Sequence, residues 1–176
     1  AVRDSSVDYQ MEDGRARLTV ETEKGRYGPM LLALRGEHQV GNAVVAAWVL
    51  ETAGALGVNV PASAVVQGFE TVNWPARLEI LQLSEGRRVL LDAAHNPEGA
   101  RALRSYLAAW QPQRPALVIG LMRDKDADAI VAELLPVTSA VIATSAATIR
   151  AMPAKELAAR VRVLDAQRPV DVYADV

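Results

Sequence analysis

The chain of 176 residues contains no cysteine, which excludes disulfide bonds, thiolate metal ligands and a cysteine nucleophile. Aromatic residues make up only 5% of it, so Ala, Val and Leu must fill the core. Its longest apolar run, residues 43–50, is far shorter than the ~20 residues of a membrane-spanning helix. The net charge is −2, so the chain lacks the excess of basic residues that is typical of a nucleic-acid-binding protein. We expect a cytoplasmic protein with neither a nucleic-acid nor a membrane partner.

Two signatures of catalysis are also missing. The sequence holds no G-x-x-x-x-G-K-[ST] phosphate loop and no apparent Ser-His-Asp or paired-glutamate arrangement, so it assigns no catalytic residue. Because the sequence has only two histidines and no cysteine, we predict no metal ligands. The chain starts at Ala1 without a methionine, and we expect it to be part of a longer protein.

The first ninety residues predict two hairpins separated by helices. Residues 1–13 are polar and are expected to form a frayed linker. Alternation of apolar and polar residues indicates the strands, and helices are expected to stop at glycine or open at proline. In order, the predicted elements are strands over 15–22 and 27–34, helices over 37–56 and from Pro61, and strands over 78–83 and 87–91.

From residue 97 onward, strand and helix alternate with short connections. This rhythm predicts an α/β fold with a parallel sheet and helices on its faces. A boundary between residues 58 and 72 divides the chain into residues 1–60 and 61–176. The predicted elements are helices over 97–110, 127–135 and 153–160, and strands over 116–121, 140–144 and 161–164.

A charged strand end that runs into a helix start stands out at residues 89–97. The apolar strand stops at Asp92, and Asn96 and Pro97 suit the cap and first position of the next helix. Ligands bind at such strand ends in open α/β sheets. Asp92 is either a capping or solvated acid or a carboxylate that accepts ribose hydroxyls or orients a neighbouring cation. His95 either bonds a backbone carbonyl at this corner or contacts a nucleotide.

Two other places offer polar groups of the same kind. His38 and Asn42 share a face at the start of the long helix, where an amide suits an adenine edge or joins a capping network. Arg77 and Glu79 share a face of their strand. Arg77 is either half of a surface ion pair with Glu79 or a guanidinium that grips phosphate.

The loop over residues 122–126 follows the strand that ends at Leu121 and is expected at the same sheet edge as Asp92. Asp126 is expected to cap the next helix, and Lys125 faces either solvent or an anionic substrate. The end of the next strand adds Ser145 and, beyond it, Arg150.

These motifs, in this order and spacing, resemble those of folylpolyglutamate synthase/dihydrofolate synthase, a family in the Mur ligase superfamily. The resemblance implies a Rossmann-like C-terminal glutamate ligase domain with a mainly parallel sheet over residues 61–176. Residues 1–60 would then be a hairpin and helix from the end of the central ATPase domain. The motifs are Gly36-Glu37-His38-Gln39-x-x-Asn42-Ala43, Trp74-Pro75-Ala76-Arg77-Leu78-Glu79, Asp92-Ala93-Ala94-His95-Asn96-Pro97 and Asp124-Lys125-Asp126.

The resemblance also implies a reaction: an ATP-dependent, amide-forming ligase of the EC 6.3.2 type, serving folate biosynthesis and one-carbon metabolism. It would use Mg²⁺ and ATP to activate a folate or dihydropteroate carboxyl as an acyl phosphate, which L-glutamate then attacks. The implied nucleotide-binding residues are Asn42 at adenine, Arg77 at the phosphates, Asp92 at ribose and His95 against the nucleotide. The implied residues on the substrate side are Lys125, Asp126, Ser145 and Arg150.

Two departures from the family pattern bear on these expectations. Ala76 stands where the family usually has glycine, and the phosphate loop is missing. We therefore expect the chain to contact the missing ATPase portion, which would hold most phosphate and metal ligands, and to be inactive alone. A non-catalytic nucleotide-binding module and another Mur-type amide ligase remain the alternatives.

Overall fold

The chain begins with a three-stranded antiparallel sheet in the order β1-β2-β3. In the computed structural model, which describes residues 5–58, 60–111 and 113–173, these strands are β1 (Ser6–Glu12), β2 (Arg15–Glu21) and β3 (Arg26–Arg35). Every second residue of β2 is buried, because successive side chains point to opposite faces of a sheet. The predicted hairpin over residues 15–34 is confirmed.

The expected linker over residues 1–13 is wrong from Ser6 onward, while residues 1–4 lie outside the described part. Strand β1 pairs with β2 along its whole length, from Ser6 opposite Glu21 to Glu12 opposite Arg15. Its signal is the alternation of Val7, Tyr9 and Met11 with polar residues. Only Met11 packs against the core, so a strand that is mostly exposed looks polar in sequence.

Two helices, α1 (His38–Ala55) and α2 (Ala62–Thr71), contribute to the core of this sheet. The predicted end of α1 at Gly57 is confirmed, with a left-handed φ of 93° that suits glycine. Helix α2 contacts β3, and the first compact unit extends to Asp92. The predicted domain division at residue 60 stays a prediction. The buried core residues of this cluster are Ala16, Leu18, Val20, Tyr27, Met30, Leu32, Val40, Ala43, Ala47 and Val65.

The predicted second hairpin is also present, as β4 (Glu79–Gln82) and β5 (Arg88–Leu91). These strands pair antiparallel, with Glu79 opposite Leu91, in a two-stranded sheet of their own within the described residues. The expectation that Asp92 ends a strand of the same sheet as the 122–126 loop is therefore wrong. An apolar run that ends at a carboxylate predicts a strand, but it does not predict with which other strand this one pairs.

The second unit begins at Ala93 and forms the predicted α/β arrangement. Its parallel sheet has the order β6-β7-β8, with Val141 of β7 opposite both Leu117 and Val170. Buried residues on α3, α4 and α5 form apolar faces. The elements are α3 (Pro97–Trp110), β6 (Leu117–Ile119), α4 (Ala127–Leu134), β7 (Val141–Ala143), α5 (Ala154–Leu164) and β8 (Val170–Val172).

The strand predicted over residues 161–164 is wrong, because these residues complete α5. Leu157, Ala158 and Val161 are buried, whereas Val163 is 86% exposed. This spacing continues a helical face rather than a strand. The third parallel strand lies later, at β8, which the sequence reading missed. Among the described residues, no helix is both long and apolar enough to cross a bilayer.

Candidate functional site

Residues 75–78, which we call the Arg77 turn, connect α2 to β4 in an unusual backbone conformation. The φ angles of Ala76 and Leu78, on either side of Arg77, are +56° and +48°. Side chains with a Cβ rarely adopt this left-handed region because of steric repulsion. The turn therefore depends on contacts with its surroundings. It also explains why a glycine suits position 76 and why Ala76 is a strained replacement.

Two carboxylates hold this turn through its backbone. The Ala76 N–H donates to Glu79 Oε2 at 2.9 Å, and the Leu78 N–H donates to Asp92 Oδ2 at 3.0 Å. The Arg77 side chain is exposed and forms no hydrogen bond or ion pair within the described residues. The interpretation of Arg77 and Glu79 as an ion pair is therefore wrong, because Glu79 binds the peptide instead of the guanidinium.

The loop before α1 is packed against the Arg77 turn. Leu78 is 1% exposed. A Cβ built on Gly36 would lie 2.7 Å from Leu78 Cδ1 and 2.6 Å from His38 Cε1, so these side chains would have to shift to accommodate it. Gly36 also has a φ of +97°. A glycine at this position thus allows the start of α1 to approach Leu78.

His38 belongs to the same cluster, although the sequence analysis gave it no separate role. Burial lowers the pKa of the His38 imidazole, the Arg77 charge lowers it further, and the Asp92 charge opposes both. The geometry agrees, because a Cβ built on Gly36 would lie 2.6 Å from the His38 ring and 2.7 Å from Leu78, whose N–H donates to Asp92. His38 therefore lies beside the Arg77 turn.

A chain of amides connects His38 to Asn42. Asn42 Nδ2 donates to Gln39 Oε1 at 2.9 Å, and Gln39 Nε2 lies 3.0 Å from His38 Nε2. An amide nitrogen only donates, so His38 Nε2 is the acceptor and the imidazole is neutral. In the described part of the chain these bonds join side chains to one another. They do not cap the helix, so Asn42 remains a candidate for ligand contact.

The residues that open the second unit make the contacts expected from their structural interpretations. Asn96 accepts the Gly99 N–H at 2.7 Å, which confirms it as the N-cap of α3. The exposed His95 has its Nδ1 3.0 Å from the Ala93 carbonyl oxygen, and this fixes the orientation of the ring. Its role against a nucleotide stays a prediction.

The loops after β6 and β7 are bonded to each other in the second unit. The Arg123 N–H donates to the Arg150 carbonyl at 2.9 Å. Asp124 accepts ion pairs from Lys125 at 3.1 Å and from Arg150 at 3.4 Å. The Lys125 hydrogen bond is the main reason that the pKa of Asp124 falls below its usual value, and Arg150 adds to it. Lys125 and Arg150, the two cations predicted on the substrate side, thus share the Asp124 carboxylate.

The other two residues predicted on the substrate side have separate positions. Asp126 accepts the Ala129 N–H at 3.1 Å, which confirms it as the cap of α4. Ser145 follows Thr144, whose buried Oγ1 has no hydrogen-bond partner among the described residues. A contact of Asp126 or Ser145 with a substrate stays a prediction.

The structure can be tested for a metal site by its donor groups. Within residues 5–58, 60–111 and 113–173, no three His, Asp or Glu side chains are grouped so that they could hold a metal ion. These residues therefore do not fit a Mg²⁺ site of their own.

Comparison with known proteins identifies the family. The family model described as Mur ligase, glutamate ligase domain, matches residues 76–176. The chain belongs to the Mur ligase family. The match begins inside the Arg77 turn and covers the whole second unit.

Individual relatives of this Mur ligase chain agree with the resemblance seen in its motifs. Dihydrofolate synthase/folylpolyglutamate synthase of Mycobacterium tuberculosis is 37% identical over 152 residues, which cover 85% of this chain and 31% of the relative. The solved structure of M. tuberculosis folylpolyglutamate synthase complexed with ADP is 32% identical with a TM-score of 0.85, covering 98% of this chain and 38% of that one. UDP-N-acetylmuramyl-tripeptide synthetase of Lacticaseibacillus paracasei is 34% identical over 128 residues, 70% of this chain and 24% of the relative. The chain thus spans about a third of the length of its folate relatives.

Three residues of this Mur ligase chain take part in the candidate sites although the sequence assigned them no ligand contact of their own. Asp124 lies between Lys125 and Arg150, Glu79 holds Ala76, and His38 interacts with Arg77 and Asp92. The four-residue spacing of His38 to Asn42 was a usable signal. The bond of Glu79 to a peptide N–H was not, because it depends on the left-handed turn between them.

Proposed function

We propose that this chain is part of an ATP-dependent ligase that joins L-glutamate to a folate or dihydropteroate through an acyl phosphate. In this reaction the terminal phosphoryl group of ATP is transferred to a carboxylate of the acceptor. The amine of glutamate then attacks the activated carbon, an amide bond forms and phosphate leaves. The similarity to folylpolyglutamate synthases supports this choice within the Mur ligase family.

The observation that carries the proposal is the Arg77 turn. Its guanidinium is exposed and unpaired within the described residues, while carboxylates bind the N–H groups of the residues before and after it. A planar guanidinium binds phosphate oxygens in pairs, and these bonds are strong because both partners are charged. Arg77 is therefore the group that we assign to the nucleotide phosphates.

The resemblance of the motifs supports further proposed nucleotide contacts. The Asn42 amide offers a donor and an acceptor to adenine, and His95 would lie against the nucleotide. Asp92 already accepts the Leu78 N–H through Oδ2, yet a carboxylate has about four acceptor positions. It can therefore hold the Arg77 turn and accept ribose hydroxyls at the same time.

We assign the glutamate side to the loops after β6 and β7. Lys125 and Arg150 supply positive charge for glutamate carboxylates, while Asp126 and Ser145 border the same loops. Asp124 already pairs with both cations, so glutamate must compete with it or join the network. The positive ends of this network suit an acidic substrate.

The rest of the machinery is proposed to lie in an ATPase portion that this chain contacts. The 176 residues contain no phosphate loop, and the described residues do not group three possible metal ligands. Mg²⁺, when bound in such a ligase, neutralises phosphate charge. We therefore expect the chain alone to show no ligation.

A second candidate is a Mur-type ligase that acts on a cell-wall precursor. The specific observation in its favour is the 34% identity to UDP-N-acetylmuramyl-tripeptide synthetase. The folate relatives cover more of the chain, 85% against 70%, so the folate assignment comes first.

The test is a ligation assay on the protein expressed from the complete reading frame that contains this chain. Labelled L-glutamate and MgATP are supplied with dihydropteroate, tetrahydrofolate or UDP-N-acetylmuramyl peptides as acceptors. Incorporation with a pteroate or folate acceptor is expected. Incorporation only with the muramyl peptides would select the second candidate, and ADP binding without any ligation would indicate a non-catalytic module.

A further inference from the structure

Glu79 has a contact that none of the site assignments uses. Its Oε2 accepts the Ala76 N–H at 2.9 Å, and Asp92 accepts the Leu78 N–H at 3.0 Å. The two N–H groups belong to the residues on either side of Arg77. Asp92 is the predicted ribose ligand, whereas Glu79 has no part in ligand binding.

The Arg77 turn needs such support because two of its residues are in the left-handed region without being glycine. This conformation is unfavourable for residues with a Cβ and persists only where the surroundings enforce it. Hydrogen bonds from a peptide N–H to a carboxylate are among the stronger ones available. Leu78 is also anchored by its buried side chain, so Glu79 is the polar contact that holds the Ala76 side of the turn.

The alternative role of Glu79, neutralising Arg77, does not agree with the contacts. Glu79 makes no ion pair with Arg77, although only one residue separates them. Its side chain is partly buried and bonded to the backbone, which leaves the exposed guanidinium available to an anion. The carboxylate thus fixes the position of the cation without occupying it.

We propose that Glu79 is a positioning residue, which holds the Ala76 peptide so that Arg77 is presented to the phosphates of a nucleotide. This inference rests on the proposed nucleotide-binding function. It requires an acceptor at the right reach, and it does not require a negative charge.

The experiment compares three substitutions in the protein expressed from the complete reading frame that contains this chain, by calorimetric titration with ADP and with adenosine. Glu79→Gln keeps the reach and the acceptor oxygen but loses the charge, and Glu79→Asp keeps the charge but loses the reach. Glu79→Ala loses both. Glu85→Ala is the matched control, because Glu85 lies at the far end of the β4–β5 hairpin and, among the residues that the structure describes, forms an ion pair with Arg87 alone.

We expect Glu79→Ala and Glu79→Asp to weaken ADP binding about tenfold, while Glu79→Gln and Glu85→Ala stay within about threefold of the unaltered protein. Adenosine, which has no phosphate, should bind all variants alike. In an Arg77→Ala background, Glu79→Ala should cause no further loss of ADP affinity, since the two residues act as one unit.

A purely structural role would give a different pattern, namely loss of ADP and adenosine binding together, or an equal loss in the Arg77→Ala background. Either pattern overturns the proposal, as does rescue by aspartate but not by glutamine. If the unaltered complete protein binds no ADP, the proposed nucleotide-binding function is wrong. Hydrogen exchange then decides the role of Glu79: faster exchange of the Ala76 amide in Glu79→Ala, but not in Glu79→Gln, supports it, and unchanged exchange contradicts it.

Discussion

The Arg77 turn and the bonded loops after β6 and β7 use the same ingredients, arginine and carboxylates, in opposite ways. In the first unit, Glu79 and Asp92 bind peptide groups next to Arg77, and its guanidinium stays unpaired within the described residues. In the second unit, Asp124 binds the side chains of Lys125 and Arg150 directly. A carboxylate that holds the backbone leaves the cation available, whereas one that pairs with the cation neutralises it.

This difference suggests two modes of anion binding. The Arg77 turn is prepared before a ligand arrives, so little free energy is needed to order it. At the other loops an incoming carboxylate meets cations that already have a partner. We therefore expect the Arg77 turn to dominate affinity for a nucleotide, and the following predictions test that contrast.

The largest effect on stability is expected at Asp92. Asp92→Ala leaves the Leu78 N–H without its acceptor beside a buried side chain, which costs about 2 kcal/mol of unfolding free energy. Asp92→Asn keeps an acceptor oxygen and should restore most of it. Asp124→Ala, which removes only exposed ion pairs, should cost less. Urea unfolding measures all three, and equal losses at Asp92 and Asp124 would erase the contrast between the two regions.

The next effect concerns affinity. Arg77→Ala should weaken ADP binding by more than tenfold, about 1.4 kcal/mol, and should lower the activity of the complete enzyme by at least the same factor. Arg150→Ala is the matched control and should leave ADP affinity within about twofold. Titration of both variants measures the ratio. A larger loss at Arg150 would reverse the assignment of the two regions.

The strain of the turn gives a smaller effect of the opposite sign. Ala76→Gly should stabilise the chain by about 1 kcal/mol, because glycine adopts the left-handed conformation without a Cβ clash. The control, Ala159→Gly at an exposed position inside α5, should destabilise it by about 1 kcal/mol. Thermal or urea unfolding measures both. A destabilising Ala76→Gly would show that the turn is not strained at this residue.

The smallest effect is expected from His38. Its pKa is lowered mainly by burial, so the unfolded chain binds this proton more readily than the folded one. The free energy of unfolding should therefore fall as the pH drops through about 6.5. The carboxyl groups with lowered pKa, including Asp124 and Glu133, act below about 4.5. Urea unfolding at pH 7.5 and 5.5 should show a decrease that His38→Gln reduces, and an identical decrease in the variant would exclude His38 as its source.

Much of the fold could be predicted because the spacing of apolar residues agrees with the residues that start and stop helices. The alternation in β2, the stop of α1 at Gly57 and the caps Asn96 and Asp126 are local signals, and the structure confirms them. Strand β1 was missed because its apolar residues are mostly exposed. The end of α5 was misread as a strand because Val161 and Val163 favour strands individually, while burial of one helical face decides the outcome.

The candidate site was predictable only where residue type carries the chemistry. Asn42, Arg77 and Asp92 could be chosen from their positions next to helix starts and strand ends. The role of Glu79 could not be predicted, because it depends on the left-handed conformation of Ala76 and Leu78. Neither residue type indicates such a conformation in a sequence. The hairpin of β4 and β5 was predicted, but its separation from the parallel sheet was not. Within the described residues β5 pairs with no other strand, and a short apolar strand does not specify its neighbours.

We propose above all that the Arg77 turn already has, before a ligand binds, the conformation that binds the phosphates of a nucleotide. The most direct measurement is a crystal structure, with ADP, of the protein expressed from the complete reading frame that contains this chain. We predict phosphate oxygens within about 3 Å of the Arg77 guanidinium, with the bonds from Ala76 to Glu79 and from Leu78 to Asp92 unchanged. ADP bound with Arg77 remote from its phosphates, or a turn rebuilt to reach them, would contradict the account.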